Sequence, residues 1–279
     1  MNPHASSVRI AVLQGAVATG DSAANLAQVR SAARRAVEGG AELLITPEMF
    51  ISGYNLGDRV AALAAEPLLD AVAEIARTEG IAIVAGLPLP SADGITNSAV
   101  FVDKAGELLG RYDKTHLFGD LDRSMFTAGT ELAPLIEWSG LRVGLLICYD
   151  VEFPETVRTL ALAGADLIAV PTAQMKPFEF VAEHVLPARA WESQVYIAYA
   201  DHVGAEGELE YVGRSSVSTP DGQRPQLASS DEPALLIADV DTARLAASRA
   251  DNPYLHDRRT ELYAAGGDSP RNPETSPSA

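Results

Sequence analysis

A chain of 279 residues, 47% hydrophobic and 21% charged, has the composition of an ordinary folded domain, long enough to build one large core without splitting into two. Its formal charge of −17 argues against nucleic acid or an anionic membrane as partner, because both call for clustered Lys and Arg and the 21 here are scattered. The single cysteine, Cys148, excludes an internal disulfide, and no apolar run approaches the roughly 20 residues that span a bilayer.

The N-terminal MNPHASSVRIAVLQG lacks the basic and apolar regions of a secretory signal, so a cytoplasmic address is expected. Within it, VRIAVLQ (8–14) reads as a buried strand. Asp21 then caps a helical stripe of Leu26, Val29, Ala32, Ala33 and Val37 that Gly39-Gly40 ends. AELLITPE is a second strand, PLLDAVAEIARTEG a helix closed by Gly80, and IAIVAGLPL a third strand. ITNSAVFVD and AGELLGRYDK form a hairpin pair. LRVGLLICYD is a buried strand, PETVRTLALAGA a helix with Pro154 in its first turn, and DLIAVPTA the next strand. HVLPARAWES is a helix, followed by strands at QVYIAYADHV, Ser215 to Pro220 and ALLIADVD. The stretches 49–60, 118–130 and 173–184 read as loops. The last residues, 263–279, are small, polar and proline-rich and are expected to be a disordered tail, leaving 1–262 as the domain. The whole is an α/β or α+β chain with strands enough for two sheets.

No cofactor is implied. QGAVATGDSAAN after the first strand is not the glycine fingerprint of a dinucleotide site, no P-loop is present, and one cysteine with five dispersed histidines offers no metal-ligand spacing. The chemistry must come from side chains, and three residues at strand ends supply it. Cys148 closes LRVGLLIC at the rim where open α/β sheets place ligands; alone it is more often a core residue. Glu48 ends ELLITPE after an apolar run, where burial would raise its pKa toward that of a general base. Lys114 in GRYDKTHLFGD, alone a surface charge, completes the set: a thiol, a carboxylate and an ammonium are the nucleophile, proton acceptor and oxyanion partner that acyl transfer from an amide requires.

TPEMFISGY (46–54), RYDKTHLFGD (111–120) and GLLICYDVEFPE (144–155) resemble the three signature segments of the nitrilase superfamily, in that family's order. NSAV (97–100), ARAWES (188–193), GRSSVSTPDG (213–222) and DNPYLHDRR (251–259) extend the likeness over nearly the whole chain. The resemblance implies a single-domain, four-layer α-β-β-α sandwich that pairs into a homodimer or larger even assembly, and a Glu48-Lys114-Cys148 triad. It also implies a second carboxylate where this chain has Asp122 instead of glutamate, and asparagine where RAWES has Ser193. The Tyr149 backbone N–H would join Lys114 at the oxyanion. Tyr54, Phe118, Thr172 and Ala173 are the candidate pocket lining. Tyr149-Asp150 after the nucleophile resembles amidases and carbamoyl hydrolases more than nitrilases, so a small carboxamide is the expected substrate. An N-carbamoyl amino acid hydrolase or a nitrilase is the enzymatic alternative; a dead-site binding protein or a redox-sensing thiol protein is the alternative outside catalysis.

Overall fold

The computed structural model describes residues 7–132, 134–224 and 226–263, so the tail expected over 263–279 lies outside the described residues apart from Tyr263. Among the described residues fourteen strands run as β1 (Ser7–Gln14), β2 (Leu43–Ile45), β3 (Ala82–Ser91), β4 (Gly94–Val102), β5 (Leu108–Asp113), β6 (Ile136–Trp138), β7 (Leu141–Leu145), β8 (Leu167–Pro171), β9 (Tyr196–Ala200), β10 (Ala205–Glu206), β11 (Leu209–Glu210), β12 (Ser216–Ser218), β13 (Gln226–Leu227) and β14 (Ala234–Asp241). The helices are α1 (Ser22–Glu38), α2 (Val60–Ala64), α3 (Leu68–Glu79), α4 (Gly119–Met125), α5 (Pro154–Ala163), α6 (Leu186–Ser193), α7 (Thr242–Asp251) and α8 (Thr260–Tyr263).

Two six-stranded sheets result, in the orders β14-β1-β2-β3-β4-β5 and β13-β12-β9-β8-β7-β6. Each has three parallel strands at its centre, β1-β2-β3 in one and β7-β8-β9 in the other, flanked by antiparallel strands. Strand periodicity decides the layering, because alternate side chains of one strand point to opposite faces. Val8, Ile10 and Val12 of β1, with Leu43 and Ile45 of β2, face the second sheet and share a core with Leu145, Leu167 and Ala169. Ala11, Leu13 and Leu44, the residues between them, face outward and pack under Val29, Ala33 and Ala36 of α1 and Val72 and Ile75 of α3. On the far side Val157 and Leu160 of α5 and Leu186 and Ala190 of α6 cover the second sheet. The architecture is the expected single-domain α-β-β-α sandwich.

Local chemistry sets the helix ends. Asp21 accepts a hydrogen bond from the Ala24 amide at 3.0 Å at the start of α1, and Pro154 opens α5 where its missing N–H costs nothing. The expected strand LRVGLLICYD is shorter in the structure: pairing stops at Leu145, and Cys148–Glu152 coils into a 3-10 turn. The segment 118–130, expected as a loop, contains α4. No helix among the described residues is long and apolar enough to cross a membrane.

Candidate active site

Strand ends of both sheets meet at one place. Glu48 follows β2, Lys114 follows β5, and Cys148 follows β7, so one sheet supplies the carboxylate and the ammonium while the other supplies the thiol. Cys148 has a φ of 46°, a left-handed conformation that a side chain other than glycine rarely adopts. A strained strand-to-turn corner of this kind lifts a nucleophile out of the sheet and toward a ligand.

The loop carrying Glu48 is pinned by both sheets. Its backbone amide donates to the Thr172 carbonyl at 3.2 Å, just past β8, and its carbonyl accepts from His202 Nε2 at 2.7 Å, just past β9. Burial keeps His202 below the usual histidine range, so it acts as a neutral donor. Against the first sheet the loop lies so close to Gly86 that a Cβ there would fall 2.5 Å from the Met49 nitrogen and 2.8 Å from the Glu48 Cα.

The side chains of Glu48, Lys114 and Asp122 are fully buried. Lys114 Nζ donates to Glu48 Oε1 at 2.8 Å and to Asp122 Oδ2 at 2.7 Å. Glu48 Oε1 also accepts from Asn97 Nδ2 at 2.6 Å, while Glu48 Oε2 has no hydrogen-bond partner among the described residues. Asp122 is held in turn by the Tyr54 hydroxyl at 2.6 Å and the Phe118 amide at 2.8 Å. The Cys148 thiol points at Gln174 Oε1, 3.9 Å away, which also accepts from the Tyr199 hydroxyl at 3.2 Å.

The electrostatics follow from two opposing forces. Burial pushes the Glu48 carboxyl above its ordinary value, and the attraction of Lys114 only partly offsets it. Burial alone would drive protons off Lys114, but Glu48 and Asp122 outweigh it and hold the ammonium well above the usual lysine range. Burial, with the charge of Glu48, raises the Cys148 thiol well above its ordinary value, so it rests protonated. Such a thiol becomes a nucleophile only if a base takes its proton during attack, and the unpartnered Glu48 Oε2 belongs to the carboxylate whose charge acts most strongly on it.

A narrow cleft opens at the thiol, lined by Tyr54, Phe118, Cys148, Glu152, Ala173, Gln174 and Met175. Of the four residues expected in the lining, Tyr54, Phe118 and Ala173 are there. Thr172 is not: its hydroxyl turns back to the Val170 carbonyl at 3.1 Å and its carbonyl serves Glu48. The residue after a strand keeps the strand's alternation, and that sends Thr172 inward and Ala173 outward. Tyr149 follows Cys148 in the 3-10 turn, its ring edge-on to Phe118 at 5.4 Å. His116 pairs with the buried Asp150 at 2.8 Å, a structural contact, and His184 is exposed. Ser193 is buried with its hydroxyl unpartnered among the described residues.

Asn97, Gln174, Glu152, His202 and Asp201, whose carboxylate accepts from the Gln174 amide at 2.8 Å, were not singled out as site residues by sequence reasoning. Asn97 stands in the NSAV segment and Glu152 in GLLICYDVEFPE, so two carried a motif signal; the others derive their place from strand ends meeting in space. Among the described residues no group of three or more His, Cys, Asp or Glu could hold a metal ion.

A strained cysteine beside a buried carboxylate and ammonium in an α-β-β-α sandwich is the architecture of the nitrilase superfamily, and the chain belongs to its carbon-nitrogen hydrolase family, whose pattern matches residues 9–250. It is 49% identical over 261 residues to a hydrolase encoded in the pqqF 5′ region of Pseudomonas protegens, covering 92% of this chain and 90% of that one. An (R)-stereoselective amidase of a Pseudomonas species is 36% identical over 91% of this chain and 93% of its own. Among solved structures, an amidase from Nesterenkonia sp. AN1 superposes with a TM-score of 0.85 at 38% identity, over 96% of this chain and 99% of that one. That structure is a glutamate-to-glutamine variant with the acetamide moiety of fluoroacetamide covalently added to its active-site cysteine, and another of the same protein holds butyramide.

Proposed function

We propose that this hydrolase is an amidase that converts a small carboxamide to a carboxylic acid and ammonia through a thioester on Cys148. The observation that carries the reading is the buried triad: a protonated thiol, a carboxylate with raised pKa and one free oxygen, and an ammonium held charged by two carboxylates.

Glu48 takes the thiol proton as sulfur attacks the amide carbon, and the carbonyl oxygen gains the charge. Lys114 and the Tyr149 N–H stabilise that oxyanion, a contribution on the order of 10²- to 10³-fold in rate for one such donor. When the C–N bond breaks, protonated Glu48 gives its proton to the departing ammonia. The same carboxylate then deprotonates a water that attacks the thioester, and the proton returns to the sulfur. Asp122 fills the role of the second carboxylate by accepting from Lys114 alongside Glu48.

Arg189 supports an amide over an N-carbamoyl amino acid as substrate. It donates to the Val151 carbonyl at 3.3 Å and the Glu152 carbonyl at 2.7 Å and pairs with Glu192 at 2.9 Å, so it is committed to the fold and not offered to a substrate carboxylate. A buried thiol with raised pKa also fits a redox sensor poorly, since sensing needs an exposed thiolate. A cytoplasmic homodimer completes the proposal, supported by the free cysteine and the family likeness, and sedimentation of the purified protein tests the assembly.

Ammonia release by wild type and Cys148→Ala, measured on a carboxamide, its nitrile and its N-carbamoyl analogue, tests the function. Cysteine-dependent release from the carboxamide is expected. Release only from the nitrile or the carbamoyl compound moves the assignment to that branch, and release that survives Cys148→Ala ends the mechanism.

A further inference from the structure

The cleft at Cys148 is mostly apolar and aromatic, and Glu152 is the one carboxylate among the described residues that line it. Glu152 sits four residues after the nucleophile, at the far end of the same 3-10 turn, so its position is fixed relative to Cys148 by a short stretch of rigid backbone. Its main chain is locked, because the Glu152 carbonyl accepts from Arg189 Nη2 at 2.7 Å. Its carboxylate, by contrast, makes no hydrogen bond or ion pair among the described residues.

The nearest cations are occupied. Lys114 is held by Glu48 and Asp122, and Arg189 by Glu192 and two carbonyls, and both act on Glu152 only at a distance. Half-buried, Glu152 loses part of its solvation with no partner to replace it, and burial raises its carboxyl above the ordinary value despite those two cations. A carboxylate in that position attracts a ligand cation and repels a ligand anion.

Taking as given that the protein is an amidase, we propose that Glu152 is a specificity-determining residue that selects carboxamides bearing a positively charged amino group close to the amide carbon. The ammonium donates to the Glu152 carboxylate while the amide carbon lies against Cys148. The small cleft restricts such substrates to short acyl groups, and the single carboxylate disfavours acyl groups that carry an acid of their own.

Two isosteric pairs test this at about pH 7, where an α-amino group with an ordinary pKa near 8 is mostly protonated: alaninamide against isobutyramide, and β-alaninamide against butyramide. Each pair exchanges an ammonium for a methyl group. Wild type is expected to favour the ammonium member of at least one pair by about ten- to a hundredfold in kcat/KM, the range of one hydrogen bond to a charged group. Glu152→Gln, which keeps the shape and removes the charge, is expected to bring that ratio back toward one, chiefly through KM. A wild type that favours neither ammonium member overturns the proposal without need of the variant, as does a ratio unchanged in folded Glu152→Gln. In both cases turnover of isobutyramide or butyramide leaves the amidase reading standing; absence of turnover on all four amides overturns the amidase reading itself.

Discussion

Asp122 has one methylene fewer than the glutamate usual at its position in the family, yet it reaches Lys114 at 2.7 Å. It does so because α4 brings its backbone close, and because Tyr54 and the Phe118 amide fix both carboxylate oxygens. Asp122→Asn is therefore expected to lower kcat by about a hundredfold with KM little changed, since it leaves the ammonium with one carboxylate and a misplaced amide donor; steady-state kinetics on a neutral carboxamide decide it, and an undiminished kcat removes Asp122 from the machinery. Glu48 makes a pH prediction. Its unprotonated form is the base, and its pKa lies above the ordinary 4.5, so kcat/KM for a neutral carboxamide should fall as pH drops, with a midpoint above 4.5. A profile flat down to pH 4.5 contradicts that role. Glu48, Lys114 and Cys148 were legible in the sequence because each ends a strand and stands in a motif. Gln174 and His202 were not: the one matters through a thiol from another strand, the other through the backbone carbonyl of a residue far away in the chain.

Most elements were legible because their signals are local. The helix α1 between Asp21 and Gly39, the Pro154 start of α5 and the β4-β5 hairpin stand where the pattern put them, although Val37 of the expected α1 stripe is exposed and Ala36 is buried beside it. Elements without a local signal were missed: α4 has too few turns to show a period, and β7 could not be seen to stop before Cys148 because Leu146 and Ile147 remain apolar and buried. The close approach of β3 to the Glu48 loop was equally invisible, since a glycine in a strand does not reveal what lies against it. Gly86→Ala would place a methyl group 2.6 Å from the Pro47 carbonyl oxygen and force the loop away. We expect it to cost about 1–3 kcal/mol in urea unfolding and to lower kcat/KM about a hundredfold, because a displacement near 1 Å is enough for that. Stability lost with activity retained would mean that the loop yields without moving the carboxylate.

At the scale of the molecule, composition identified a single folded domain, and periodicity gave strands enough for two sheets, but only the family likeness implied that they stack face to face. Periodicity along one strand says that two faces are apolar and does not say which neighbour covers each. The first sheet is closed by a pairing distant in sequence, β1 with β14, and the stacking of the two sheets is held by their shared core and by the clasp in which Thr172 and His202 of one sheet's loops grip the backbone of Glu48 from the other. The clasp gives the folding reaction an order. Backbone pairing within a sheet can precede docking, but neither sheet holds a working site until they dock, because base and nucleophile arrive on opposite partners. During refolding from urea, circular dichroism should therefore recover ahead of hydrolysis, and the interval between the two is the time the two halves spend finding one another.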